Sequence, residues 1–216
     1  MIERYKWALA VTAVSLAVGV IAIYIIGPET QIAVHWDSTG NADRIDNAWF
    51  GLMVIPVIQI LTILLFGALK YIEPRVKNLE KSGKALQAIV LAITAFLLLV
   101  QLLIAAQGYG YQLAHLNIIF AGIGLMLAVM GNYFGKLRSS FFIGIRTPWT
   151  LSSETIWKKT HRLGGKLFVL AGVILILASL IQKETQLAVT MIFVIVPAAL
   201  IPAAYSWLLW RKEQAD

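Results

Sequence analysis

Six apolar runs separated by short polar stretches leave this chain few folds to choose from. They lie at Trp7–Ile26, Trp49–Leu69, Ala85–Gln107, Leu113–Tyr133, Leu167–Ile181 and Leu187–Trp210, and none contains Asp, Glu, Lys or Arg. A helix needs about 20 residues to cross the roughly 30 Å hydrocarbon core of a bilayer. Lipid offers no partner to an open backbone group, so each run must close its hydrogen bonds within itself as a helix. The fifth run is the shortest and is expected to borrow residues from the segment before it. The whole chain is 59% hydrophobic and 13% charged, against about 45–50% and 25% in soluble domains. The expected class is an all-α, polytopic membrane protein of six transmembrane helices. It forms a single integral membrane domain over residues 1–216, embedded in a prokaryotic plasma membrane. The first run outlasts the 7–15-residue core of a signal peptide and is expected to stay as a helix.

The loops set the orientation. Lys and Arg resist translocation and collect in short cytoplasmic loops. Sixteen of the eighteen basic residues fall at the N-terminus, in the second and fourth loops and in the tail, leaving only Arg44 and Lys183 for the others. Both termini are therefore expected to be cytoplasmic. The net charge of +7 is then a topology charge facing anionic inner-leaflet lipids, which makes direct nucleic-acid binding a poor explanation of it.

This frame divides the chain. Residues 7–69 hold helices one and two with an outer loop at 28–48. That loop is acidic, with Glu29, Asp37, Asp43 and Asp46, and Asp37–Asn41 has turn chemistry. The second helix is expected to run on into the second loop and break before Pro74. Residues 85–133 hold helices three and four, where Gly131 and Gly135 have the G-x-x-x-G spacing, read as a packing groove rather than a dimer interface. Residues 167–210 hold helices five and six.

Between them, residues 134–166 form the one long stretch that is basic, aromatic and polar at once. Lys136 and Arg138 leave helix four with charges suited to phosphate headgroups. Phe141–Ile145 is apolar and must dock on the bundle or lie in the interface, because apolar surface in water costs about 25 cal/mol per Å². A turn follows at Arg146-Thr147-Pro148-Trp149. Ser152 and Glu154 are expected to start an interfacial amphipathic helix between helices four and five, with Ile156, Trp157, Thr160 and Leu163 on the bilayer and Gly164-Gly165 as the bend into helix five.

Several chemistries are unsupported. Cysteine is absent, which removes disulfides and thiolate nucleophiles. A metal site from His35, Asp37, Asp43 and His115 matches no metal-binding pattern. Ser152 or Ser153 lies too far along a helix from His161 to form a triad. No catalytic set, metal or cofactor is expected, and the chain is not read as an enzyme.

The string GIRTPWTLSSETIWKKTHRLGGKLF, with GNYFGK upstream, resembles the signature of the SdpI family of bacterial membrane proteins. The pattern His35-Trp36-Asp37-x-x-Gly40-x-x-Asp43 is similar to the small N-terminal region that accompanies it. That family commonly has Pro-Asn where this chain has Ser139-Ser140, which leaves the local turn open. The resemblance implies a membrane immunity and signal-transduction protein that protects against a secreted antimicrobial toxin peptide and sequesters a small winged-helix autorepressor at the membrane. It implies an outer ligand face at His35, Trp36, Asp37, Gly40 and Asp43. It further implies an inner docking face drawn from Asn132, Gly135, Lys136, Gly144, Arg146, Thr147, Pro148, Trp149, Ser152, Glu154, Trp157, Thr160, His161 and Gly164. The expected partners are membrane lipids, the toxin peptide outside and the repressor inside. The alternative is a small transporter or channel for a peptide or lipid, whose polar path would have to use Gln59, Gln101, Gln107, Asn117 and Asn132.

Overall fold

The computed structural model describes residues 3–37, 39–111 and 115–215. After a 3-10 turn at Glu3–Tyr5, the elements are α1 (Lys6–Ile26), β1 (Gln31–Trp36), β2 (Ala42–Asn47), α2 (Ala48–Ile72), α3 (Val76–Lys81), α4 (Gly83–Gly108), α5 (His115–Phe134), α6 (Pro148–Ser152), α7 (Glu154–Ile181) and α8 (Glu184–Ala215). Among the described residues, six helices are long and apolar enough to cross a membrane: α1, α2, α4, α5, α7 and α8. The protein is an all-α polytopic membrane protein with one small hairpin. The expected start of the fourth span at Leu113 lies outside the described residues.

Helix ends follow local chemistry. Asn47 caps α2 by accepting the Phe50 amide at 2.8 Å. The same helix stops at Ile72, before Pro74, where a helical residue would clash with the proline ring. Gly27, at φ 90°, ends α1 in a conformation that L side chains rarely adopt.

The spans form two groups of three, α1–α2–α4 and α5–α7–α8, joined along α4 and α5. In the first group, Leu52, Ile55 and Ile104 form one buried core. In the second, Leu127, Leu175 and Leu187 form another. Polar residues within the spans staple helices together, as expected where lipid gives no hydrophobic drive to association. The Gln101 amide donates to the carbonyls of Ser15 at 3.0 Å and Leu52 at 2.8 Å and accepts the Ser15 hydroxyl, tying α4 to α1 and α2. Gln59 donates to the Thr94 carbonyl at 2.9 Å, and Asn117 to that of Ser179 at 2.7 Å.

Glycines set the α5–α7 contact. A Cβ added to Gly131 would stand 2.6 Å from the Gly165 carbonyl oxygen, and one added to Gly172 would stand 2.3 Å from that of Gly124. The two antiparallel helices thus meet backbone to backbone through glycines seven residues apart on each. Gly131 does line a packing groove, but its companion is Gly124 rather than Gly135, whose added Cβ would come no nearer than 3.9 Å to Arg162.

Two expectations require correction. The loop at 28–48 is not only a turn: β1 and β2 pair antiparallel, with an irregular register around His35. The interfacial helix between helices four and five is also absent. Ser152 ends the short α6, Ser153 caps α7 by accepting the Ile156 amide at 3.3 Å, and α7 runs without a break from Glu154 to Ile181. Gly164 and Gly165 are not a bend; both are buried in the helix, Gly165 against α5 and Gly164 against Ile145 and Pro202. The stripe of Ile156, Trp157 and Thr160 is fully buried rather than laid on the bilayer. Its helical period holds, but its partner is the preceding loop.

Candidate functional site

The sequence-dense residues gather on two opposite faces, one formed by the hairpin and the other by the segment joining α5 to α7. On the hairpin face, Asp37 builds its own turn. Its carboxylate accepts the Thr39 amide at 2.8 Å, the Thr39 hydroxyl at 2.6 Å and the Asn41 amide at 3.0 Å. The Thr39 hydroxyl first, then these amides, hold its pKa below the ordinary aspartate value. Gly40 sits at φ 87°, in the left-handed region that favours glycine. Across the strands, His35 Nδ1 and Asp43 Oδ1 pair at 2.6 Å, and both residues are exposed. Trp36 is half-buried and packs against the cores of both helix groups. Of the five expected outer residues, two therefore shape the turn, two pair in the open, and one pins the bundle. The His115 side chain lies outside the described residues.

On the opposite face, the segment after α5 is held from two directions. From the α2–α4 connection, Glu73 is almost wholly buried. Its carboxylate accepts the Ser140 hydroxyl at 2.5 Å, the Phe141 amide at 3.0 Å and the Arg75 amide at 2.9 Å. Arg75 donates to the Ser139 hydroxyl and to the Leu151 carbonyl at 3.0 Å, and its guanidinium lies 4.6 Å from the Phe141 ring centre. Asn78 donates to the Ser139 carbonyl at 3.0 Å, and the Ser82 hydroxyl accepts the Arg138 amide at 2.9 Å. Ser139-Ser140, the departure from the family pattern, is thus where the loop is fastened.

From α7, Trp157 donates its indole N–H to the Leu137 carbonyl at 2.9 Å. Its ring stacks on His161, with centroids 4.0 Å apart and planes 18° from parallel. His161 Nε2 accepts the Ile145 amide at 2.9 Å while Nδ1 donates to the Trp157 carbonyl at 2.9 Å, so its partners select the tautomer protonated on Nδ1. Gly144, at φ 109°, passes directly over this pair; a Cβ there would stand 2.4 Å from His161 Nε2. Thr147 caps α6 in a reciprocal box with Thr150, leads into Pro148 at the first helical position, and touches the Ser206 hydroxyl of α8 at 2.9 Å. Trp149 packs toward Trp210, with centroids 6.5 Å apart.

The inner residues thus divide. Gly144, Thr147, Trp157, Thr160, His161 and Gly164 are buried or half-buried and hold the loop in shape. Arg146, Ser152 and Glu154 are exposed; Arg146 donates to the Phe141 carbonyl at 2.9 Å and Ser152 to that of Trp149 at 3.0 Å. Asn132, Gly135 and Lys136 lie exposed where α5 ends, with the Lys136 ammonium 4.2 Å from the Tyr133 ring centre. Reading the sequence missed Glu73, Arg75, Asn78 and Ser82. The signal available was Glu73-Pro74-Arg75 itself, an acid in a basic loop beside a helix-ending proline.

The fold and these two faces define a multi-pass cell membrane protein whose spans carry a strand hairpin at one end and an anchored loop at the other. The model of the SdpI/YfhL protein family matches residues 136–206, and a domain of unknown function, DUF1648, matches residues 10–60. The chain is 28% identical over 192 residues to Immunity protein SdpI of Bacillus subtilis (strain 168), covering 89% of each chain. Over most of its length the chain is thus similar to SdpI-family proteins. No solved structure matches it.

Proposed function

We propose that this chain is a membrane immunity and signal-transduction protein that protects its cell from a secreted antimicrobial toxin peptide and holds a winged-helix autorepressor at the membrane. The observation that carries the reading is the likeness to Immunity protein SdpI along 89% of both chains, which spans the hairpin as well as the anchored loop. Taking the basic face as cytoplasmic, in line with the distribution of Lys and Arg, the hairpin meets the toxin from outside. The exposed His35–Asp43 pair, with Asp37 in the turn and Asp46 on β2, offers negative charge to a cationic peptide. Trp36 lies against both helix groups, so a ligand that shifts the hairpin also shifts the relation between them. The segment 136–152 is built on the ends of both groups, and Arg146 and Trp149 within it, with Glu154 just after it, present the surface for the repressor. Coupling of this kind needs two arrangements that both faces bias.

The test is expression in a toxin-sensitive bacterium that lacks its own immunity gene. Wild-type protein is expected to restore growth in toxin, and the doubly substituted His35→Ala, Asp43→Ala protein to lose that protection at equal membrane abundance. Arg146→Ala is expected to keep protection while losing co-purification of the regulator. Unchanged survival without any expressed protein, or full protection by the hairpin variant, would remove this reading.

A further inference from the structure

The basic face carries a feature that neither loop explains. An open cavity of about 1040 Å³ lies between the two helix groups, walled by the 3-10 turn before α1, the end of α3, the starts of α4 and α7 and the exit from α5. Eight lysines and arginines line it, including Arg4, Lys84, Lys136, Arg138 and Arg162, against one carboxylate, Glu80. Among the described residues, the ion pairs are Glu3–Lys6, His35–Asp43 and Arg44–Asp46, so none of these eight cations has a carboxylate within salt-bridge distance. Seven of the eight are exposed, so water screens their mutual repulsion, and an anion seated among them is attracted by all of them at once.

The cavity does not end in solvent on every side. A second depression shares Arg4, Lys84 and Gln87 with it and continues to Ala88, Leu91 and Tyr133. Those last three residues also line a third depression, an apolar groove of about 480 Å³ between α4 and α5. This groove runs from Ala88 to Leu99 on α4, about 17 Å at 1.5 Å per residue, close to the half-thickness of a roughly 30 Å hydrocarbon core. Ala88, Ala92 and Ala95 keep its α4 wall low, and at its far end Gly122 of α5 packs on Leu99, where an added Cβ would stand 2.5 Å from that side chain. A polycationic basin that continues into an apolar slot one leaflet deep fits the shape and charge of one class of ligand.

We propose that this is a binding site for an anionic diacyl phospholipid, with its phosphate headgroup in the basic cavity and one acyl chain lying in the α4–α5 groove. Headgroup and chain then bridge the seam between α1–α2–α4 and α5–α7–α8. A free phosphate would satisfy the basin alone and ignore the groove. A zwitterionic lipid would fill the groove and leave the basin's charge unanswered. The proposal does not need the immunity reading: it rests on the seam, although Lys136 and Arg138 also begin the anchored segment.

The experiment uses full-length protein, purified in detergent and delipidated, then mixed with phosphatidylglycerol, phosphatidylcholine or glycerol phosphate and read by native mass spectrometry. Phosphatidylglycerol is expected to be retained over phosphatidylcholine, with millimolar glycerol phosphate failing to displace it. Arg138→Ala with Arg162→Ala, both exposed positions, is expected to weaken retention about tenfold or more, given the attraction each basic residue adds near an anionic headgroup. Ala95→Trp, filling the groove from its exposed wall, is expected to reduce lipid retention without changing weak glycerol phosphate binding. Thermal midpoints in lipid-free detergent check that both variants fold, and Lys212→Ala serves as the charge control. Equal retention of the two lipids, or undiminished retention in either variant, overturns the proposal. Displacement by glycerol phosphate overturns it as well, because the site would then be for a soluble anion.

Discussion

The carboxylate of Glu73 accepts the Phe141 amide at 3.0 Å and the Ser140 hydroxyl at 2.5 Å, so a residue just past the second span holds the turn that follows the fourth. Removing it leaves buried donors without a partner. Glu73→Ala is expected to cost roughly 3 kcal/mol and to speed trypsin cleavage after Arg138 and Arg146. Glu80→Ala, on the same connection but exposed, is expected to leave both the thermal midpoint and the cleavage rate unchanged.

The glycine contact between α5 and α7 predicts a sharp positional contrast. Gly131→Ala places a methyl group 2.6 Å from a backbone carbonyl, which cannot swing away as a side chain can. The expected loss is about 1–3 kcal/mol, read as a lower thermal midpoint in detergent. Gly135→Ala, four residues on, has room and is expected to be neutral. Equal effects at the two positions would restore the four-residue spacing as the one that matters.

Trp36 touches both helix cores from the hairpin face. Trp36→Ala is expected to destabilise by about 2–3 kcal/mol, less than a fully buried tryptophan because the ring is half-exposed, with Trp36→Phe recovering part of the loss. Crosslinking between cysteines introduced on α4 and α5 supplies the second readout. The Ala variant is expected to broaden the range of spacers that react.

The Asp37 turn gives a pH prediction whose sign follows from its hydrogen bonds. Donation by the Thr39 hydroxyl, its amide and the Asn41 amide favours the charged carboxylate. The turn's stabilisation is thus present above the ordinary aspartate value of 3.8 and is lost as pH falls through the lower folded value. The Thr39 amide resonance is expected to titrate with a midpoint below 3.8. In Asp37→Asn, the low-pH step is expected to disappear.

His161 pairs both ring nitrogens and carries Trp157 on its face. His161→Ala frees the Ile145 amide and opens a void beneath Gly144, for an expected loss of about 2–4 kcal/mol. Gly144→Ala is expected to disturb the same place from the other side and to add little in the double variant, since the two act on one contact.

The part of this fold that is legible in the sequence is the part that is one-dimensional. Apolar runs of membrane length appear as runs, and five of the six expected spans stand close to their expected positions. The hairpin was hidden because β2, Ala42–Asn47, has no buried face to alternate with an exposed one. That the fifth span borrows from the segment before it was legible in its shortness, whereas the unbroken, buried run back to Glu154 was hidden for a different reason. Trp157, His161 and Gly164 recur at helical spacing beside lysines, a pattern shared by a helix on a bilayer and a helix buried under a loop; only the carbonyl of Leu137 and the amide of Ile145, from another segment, decide between them. Glu73 and Ser140 are 67 residues apart, and nothing in local periodicity joins them. The signature was legible as a cluster, but much of what makes it dense is the chemistry of holding a loop closed.

The backbone contact of Gly124 and Gly131 with Gly172 and Gly165 has a mechanical consequence. Helices meshed at that distance cannot slide without lifting a carbonyl over a Cα, so α5 and α7 move as one strut. The seam between α4 and α5, padded with alanine and open as a groove, has no such lock. Between the two helix groups, relative movement is therefore easier at this seam than within the strut, which would tilt as one piece against α1, α2 and α4.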